Sequence, residues 1–488
     1  MNLSSSSAQN RTLKAARLQK EFCQIAQSLN GDIDSRLAGS RLLANSPAAR
    51  KDASPEWSMA PVILDRESWR ILSDAACTMH GIMEAACGQF ARDPLFRRQF
   101  HLDPHLEHRC TQKPQAGMYL PLARVDLFFN QETGRYWFCE TNTDGSAGFT
   151  ANDCVTSAIM QSTTFQQFCH NHPSARPLML KDAWIQTMLQ LYRTWSASHP
   201  AAEPNPAVPA VALVDYRESI EWGEAQDFIS TLNQMGIPAR FADIRGLRLR
   251  QERDASSNAA GTKPRWRLYD PEGPIDLVWK RAVTGEIARK PNVGAAALSA
   301  AIQGNHALVI GGFSTWPPAT KTLFALLHHP SSKAWLTPEQ QRFVAEHVPL
   351  TYSLNPNSLN SPGFDQGILT DKDRWIIKPA DGYNAMGIVA GADVDQEAWQ
   401  SALAQICLTR GVVQEYAPQY AAAAIPGIID PQGKGRPHAP CRFPQHNTML
   451  GLFLFNGVFS GVFSRCGDGR IIGESQGRLE QGCIFVDE

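Results

Sequence analysis

From Asp65 to Cys87 apolar residues recur as Trp69, Leu72, Ala76, Met79, Met83 and Ala86, the three-and-four spacing of a helix with one buried face. At Tyr119 the period changes to two. YLPLARVDLFFN and RYWFCETN read as strands joined by QETGR, where Gly134 suits a hairpin loop. Between about Val208 and Ala282 the order is strand (AVALVDY), helix (EAQDFISTLNQMG), strand (ARFADI), short hairpin and buried strand (DLVWKR), an α/β layer unit. After ALVIGGF the pattern predicts a helix near Ala319 to His328, a second opened by Thr337 and Pro338, and a polar loop, SLNPNSLNSPGFD, between two subdomains. The last region reads strand (RWIIK), glycine-containing loop, strand (GIVAG), helix (DQEAWQSALAQICLTRG), strand (VVQEYA) and a hairpin, TMLGLFLFNGVFSGVF, turned by Asn456 and Gly457. Residues 1 to about 60, rich in Ser, Ala, Asn and charge, predict a loosely ordered leader with one helix around Leu13 to Leu29.

Size and charge narrow the classes of function. A chain of 488 residues, 43% hydrophobic and 19% charged, buries a large core and divides into several units. Its 46 basic and 47 acidic side chains leave a formal net charge of -1, so no bulk positive field exists for nucleic acid or an anionic membrane. An anionic ligand has to be held locally. The first thirty residues contain no apolar run of the kind a signal peptide or membrane span requires, which predicts a cytoplasmic location. Eleven cysteines, an odd number without a CxxC pair, read as reduced packing residues.

Three stretches carry candidate chemistry. In the hairpin at 119 to 142, alternation puts Arg124, Asp126 and Phe128 on one face of the first strand and Phe138, Glu140 and Asn142 on one face of the second. A loop from Gln131 to Arg135 sets Asp126 across from Glu140 and Arg124 across from Asn142. Opposed carboxylates repel unless a cation lies between them, and oxygen ligands from Asp, Glu and Asn are what Mg²⁺ takes. A solvated face on which Arg124 neutralises the pair fits the same residues. In RWIIKPADGYNAMGIV, Lys378 ends an apolar strand and a loop with Gly382 and Gly387 follows, an arrangement suited to ATP phosphates or to an ordinary hairpin with a surface lysine. It is neither a Walker A loop nor a GxGxxG fingerprint. In VVQEYAP, a buried strand ends at Gln414, Glu415 and Tyr416, where main-chain groups can meet a base and a carboxylate a ribose. His105, His108 and Cys110, and likewise Cys169, His170 and His172, lack the further ligands of a tetrahedral metal set, and no GxSxG or HExxH occurs.

Together ARVD, ETN, KPADGYNAMG and VQEY resemble the circularly permuted ATP-grasp family, in particular the synthetase domain of glutathionylspermidine synthase and its relatives, over roughly residues 119 to 480. The permutation is in the order: the metal-type hairpin precedes Lys378 and Glu415 by more than two hundred residues. The resemblance implies an ATP-grasp fold of the α+β or α/β class with an inserted Rossmann-like, pre-ATP-grasp unit. It divides the chain into a leader (1–60), an N-terminal ATP-grasp part with the metal hairpin (61–178), the inserted unit (179–310) and a nucleotide-binding part (311–488). It implies Asp126, Glu140 and Asn142 as magnesium ligands and Arg124 as the residue facing the acyl phosphate. Lys321 and Lys378 are implied as phosphate lysines, Gly382 and Gly387 as the covering loop, and Gln414, Glu415 and Tyr416 as the adenine hinge. Asp144 and Ser146 stand where the family contacts its carboxylate substrate. The loop GYNAMG is poorer in glycine and basic residues than is usual for the family, and the segment 425–447 is an elaboration without an assigned role.

The implied activity is an ADP-forming, ATP- and Mg²⁺-dependent ligase that joins a small carboxylate or short peptide to an amine through an acyl phosphate. Two alternatives stand beside it: a nucleotide-binding scaffold of the same fold, and an ATP-dependent kinase or carboxylase using the same cleft.

Overall fold

The computed structural model describes residues 13–49, 54–199, 205–252, 265–360, 365–382, 385–428 and 442–487. Among the described residues the strands form four sheets, three of which meet around one cleft.

The largest sheet has eight strands. Leu122–Phe129 pairs antiparallel with Tyr136–Asn142 on one side and with Gln445–Phe455 on the other, and the sheet continues through Val458–Gly467 to Leu479–Val486. Trp57–Leu64 adds to Leu479–Val486 in parallel, and neither of these two strands was read from the sequence. The Leu122–Phe129 strand is buried along its whole length. Ala123, Val125, Leu127 and Phe129 enter the main apolar core, while Arg124, Asp126 and Phe128 turn to the other face. The helix expected from Asp65 to Cys87 spans Arg66–Arg92, with Leu72, Ala76, Met79, Met83 and Ala86 buried in that core. Asp65 caps it, accepting from the Ser68 N–H at 2.8 Å.

The leader differs from its expectation. Lys14–Ser28 and Ile33–Ala44 are both helical, and Leu18, Phe22, Ala26 and Leu43 share an apolar cluster with Trp57, Ile159 and Phe168. Residues 13–49 are therefore packed against the body rather than loosely ordered. Ser, Ala and charge dominate the composition, but the first helix has an apolar stripe and the second is anchored by Leu43 together with Arg36, which donates to the Pro426 carbonyl, and Ser40, which accepts from Trp57 Nε1.

The α/β unit is a four-stranded parallel sheet in the order Leu308–Ile310, Leu277–Lys280, Val211–Asp215, Ala239–Asp243. Its short hairpin, with Arg248–Glu252 and Arg265–Asp270, lies beside it as part of a three-stranded sheet, and most of the loop between those strands is outside the described residues. The fourth sheet is antiparallel: Thr351–Leu354, Gly411–Glu415, Trp375–Pro379, Val389–Ala390. Gln396–Thr409 covers it through Trp399, Leu403 and Ile406. In the polar loop 353–365, residues 361–364 lie outside the described residues, as do 429–441 of the elaboration at 425–447. No helix among the described residues is long and apolar enough to cross a membrane.

Candidate active site

The hairpin at 122–142 has Asp126 opposite Glu140 and Arg124 opposite Asn142, the register expected from the sequence. It reaches that register by another route. The loop takes in Asn130, whose N–H donates to the Arg135 carbonyl at 2.8 Å, and a bulge at Cys139 restores the pairing beyond it. The bulge has a consequence for the faces. Phe138 turns into the main core instead of sharing a face with Glu140, and Cys139 stands at the cleft.

The cleft, of about 310 Å³, collects residues from three sheets. The eight-stranded sheet contributes Arg124, Glu140 and Asn142, together with Arg465, a residue the sequence had not suggested. Asp126 lies beneath them with no exposed surface. Its Oδ1 accepts from Arg124 Nε at 2.8 Å, and its Oδ2 from Arg124 Nη2 at 3.2 Å and Arg465 Nη2 at 2.7 Å. Burial pushes the carboxyl up, but Arg124 and then Arg465 outweigh it and hold it at about 2.

Lys321 and Lys378, far apart in sequence, line the same cleft. Lys321 Nζ donates to the Gly382 carbonyl at 2.7 Å and lies 3.5 Å from Glu140 Oε2. Lys378 Nζ donates to Gln414 Oε1 at 2.7 Å and to the Cys139 carbonyl at 3.1 Å, and its ammonium opposes the rise that burial imposes on the Cys139 thiol. Gly382, Gln414 and Tyr416 also line the cleft. Glu415 and Gly387 are not among its lining residues. Glu415 pairs with Arg374 at 3.0 Å, as alternation along a strand that turns Gln414 inward requires. Gly387 has φ +71°, and a Cβ there would stand 2.9 Å from Pro379 Cγ, so the turn behind the loop needs glycine. Tyr383 and Asn384 of that loop are outside the described residues.

Asp144 and Ser146 reach the wall of the cleft, but Asp144 is engaged within the protein. Its Oδ1 accepts from Lys280 Nζ at 2.6 Å and Thr315 Oγ1 at 2.9 Å, and its Oδ2 from the Thr284 N–H at 2.6 Å. It is a strut between the hairpin and the parallel sheet. Ser146 Oγ donates to the Asn142 carbonyl at 2.7 Å.

The far end of the cleft lies at the carboxyl ends of two parallel strands, where Asp215 and Arg281 emerge. Arg281 Nη1 donates to Glu224 Oε1 at 2.8 Å and its Nε has no partner. Burial, only partly opposed by Arg281, pushes the Asp215 carboxyl up to about 6. Arg281 and Arg465 had one legible signal, a cation at the end of an apolar strand (DLVWKR, GVFSR), which needs a buried partner or a ligand.

Among the described residues no group of three or more His, Cys, Asp and Glu is placed to hold a metal, and His172 pairs instead with Glu21 at 3.0 Å. The donors at the cleft still fit Mg²⁺. Glu140 offers carboxylate oxygens and Asn142 an amide oxygen, two hard oxygen donors on one wall of the cleft for an ion that completes its shell with water and phosphate oxygens.

No protein-family model matches the sequence, and neither does any curated protein. Solved structures do. A glutathione synthetase-like effector from Globodera pallida superposes with a TM-score of 0.52 at 13% identity, covering 94% of this chain and 97% of that one. A putative γ-glutamylcysteine synthetase from Methylobacillus flagellatus KT (TM-score 0.35, 12% identity, 83% and 85% covered) and a D-cycloserine synthetase (0.26, 11%, 57% and 91%) resemble it more distantly. Across nearly its whole length, the chain shares the fold of a glutathione synthetase-like protein.

Proposed function

We propose that this chain is an ATP- and Mg²⁺-dependent ligase of the ATP-grasp kind, circularly permuted, with the parallel-sheet unit at 179–310 as an insertion. It activates a carboxylate as an acyl phosphate, joins it to an amine and releases ADP. The observation that carries this is the convergence of Lys321, Lys378, Arg124, Glu140 and Asn142 from separate stretches of chain on one cleft. Two lysines and an arginine beside a carboxylate and a carboxamide make a setting for polyphosphate and its cation, and a scaffold needs none of them.

Lys321 and Lys378 bind the nucleotide phosphates, while Gln414 and Tyr416 border the base. Glu140 and Asn142 would hold magnesium, which when bound neutralises charge on the phosphates. Arg124 orients the γ-phosphoryl group as it passes in line to the carboxylate oxygen with ADP leaving. The amine then attacks the acyl carbon and expels phosphate. The end with Asp215 and Arg281 carries both signs of charge and suits a substrate with polar ends, such as a short peptide with its amine partner. The synthetase domain of glutathionylspermidine synthase is the specific model for this chemistry.

The test is ADP release over a panel of carboxylates, short peptides and amines. Release that requires both a carboxylate and an amine is the expected result. Release with one hydroxyl or carboxylate acceptor alone favours a kinase, bicarbonate dependence a carboxylase, and ATP binding without release a scaffold.

A further inference from the structure

Asp126 is the carboxylate most fully withdrawn from the cleft, with both oxygens taken by Arg124 and Arg465. The backbone is shaped around these three side chains. Gly451 faces Asp126 across the sheet, and a Cβ on it would lie 2.8 Å from Arg124 Cδ and 3.0 Å from Asp126 Oδ1. Phe463, opposite Gly451 on the next strand, floors the group: its ring centre is 5.7 Å from the Arg124 guanidinium and 4.9 Å from that of Arg465. A side chain at 451 would force the ion group apart.

Asp126 is enclosed by two guanidiniums, and of these Arg465 also lies in the field of Glu140 and Glu480. A divalent cation on Asp126 would sit against both guanidiniums, in a buried setting where like charges repel most strongly. A phosphoryl anion would meet the donors it needs. Arg465 is buried, lines the cleft and has an Nε without a partner, the state of a group waiting for an acceptor. Glu140 and Asn142, by contrast, open directly on the cleft.

We propose that Asp126 is a positioning residue and not a metal ligand: it aligns Arg124 and Arg465 as a pair facing the transferring phosphoryl group and leaves magnesium to Glu140 and Asn142. The inference rests on the ligase function above and narrows its metal set.

The probe is Mn²⁺ bound to the protein with ADP and followed by electron paramagnetic resonance. The grip on the γ-phosphoryl group is read separately, as the affinity for the β,γ-imido analogue of ATP relative to ADP. Glu140→Gln should weaken Mn²⁺ by about tenfold or more, as expected for loss of a carboxylate ligand. Asp126→Asn and Arg465→Gln should each leave Mn²⁺ affinity within roughly threefold of wild type and cut the preference for the imido analogue about tenfold. Parallel loss of Mn²⁺ in Asp126→Asn and Glu140→Gln overturns the inference alone, as does an unchanged preference for the analogue in both variants. If Asp126→Asn does not fold, Arg465→Gln decides: a ligand freed from a competing guanidinium would bind Mn²⁺ more tightly, and tightening beyond roughly threefold overturns the proposal. Wild-type protein that binds neither Mn²⁺ nor ADP overturns the ligase function and this inference with it.

Discussion

At the antiparallel end of the cleft Asp126 is held at about 2, whereas at the parallel end Asp215 is pushed up to about 6. Both are buried carboxylates. The difference lies in the partners. Asp126 accepts from two guanidiniums, while Asp215 accepts the Tyr216 N–H and stands beside an arginine whose Nη1 is already donated to Glu224. Burial raises both carboxyls, and whether it prevails depends on how closely cations are packed and hydrogen-bonded around each. One end of the cleft holds a carboxylate bonded to two guanidiniums and the other a carboxylate short of partners, a contrast that suits the proposed division into a phosphoryl end and a polar-substrate end.

Four measurements can break or sharpen this contrast. Asp126→Asn strands two buried guanidiniums and should destabilise the protein by about 3 to 5 kcal/mol at pH 7, read from urea melts. Because the folded-state value lies below the ordinary 3.8, the wild-type advantage is present above that value and should fade as pH falls through about 2. A pH-independent cost would place the loss in packing instead.

Under the proposed ligase function, in which the guanidinium acts on the group in transfer, Arg124→Ala should lower turnover by about a hundredfold and ATP affinity by roughly threefold. Equal losses in both would remove its role at the phosphoryl group.

Asp215→Asn should have the opposite sign to Asp126→Asn, stabilising the protein by about 2 to 3 kcal/mol at pH 7. The wild-type carboxyl, raised from 3.8 to about 6, contributes stability below the lower value that is lost as pH rises through the upper one. The variant's gain should therefore vanish near pH 4. A destabilised variant at neutral pH would show that Asp215 is already paired and that the two ends are alike.

The smallest effect is expected at Lys321→Met, about tenfold in ATP affinity by calorimetry, because the ammonium is shared with Glu140 and the Gly382 carbonyl. Unchanged affinity would detach Lys321 from the nucleotide and leave Lys378 as the phosphate lysine.

The register of the hairpin was legible because alternation and a short loop fix it: ARVD and ETN put Arg124, Asp126, Glu140 and Asn142 in the register the structure has. The bulge at Cys139 was not, since nothing in RYWFCETN distinguishes an inserted residue from a regular one, and so Phe138 was given the wrong face. Arg465 escaped because GVFSRCG reads as a strand end, and only the sheet order shows that its side chain reaches across Gly451 to Asp126. The parallel pairing of Trp57–Leu64 with Leu479–Val486 is a long-range choice that no local pattern records. The leader misled for another reason: its composition is polar, whereas its packing depends on a few residues such as Phe22 and Leu43.

That parallel pair also sets an order of assembly. It joins Trp57 to Glu480, more than four hundred residues apart, so the central sheet closes only after nearly the whole described chain is available. Until then Trp57–Leu64 can pack on the preceding helices through Trp57, Met59 and Ile63 but lacks its parallel strand partner, an open edge prone to self-association. The slow step of folding should accordingly be the closing of this pair.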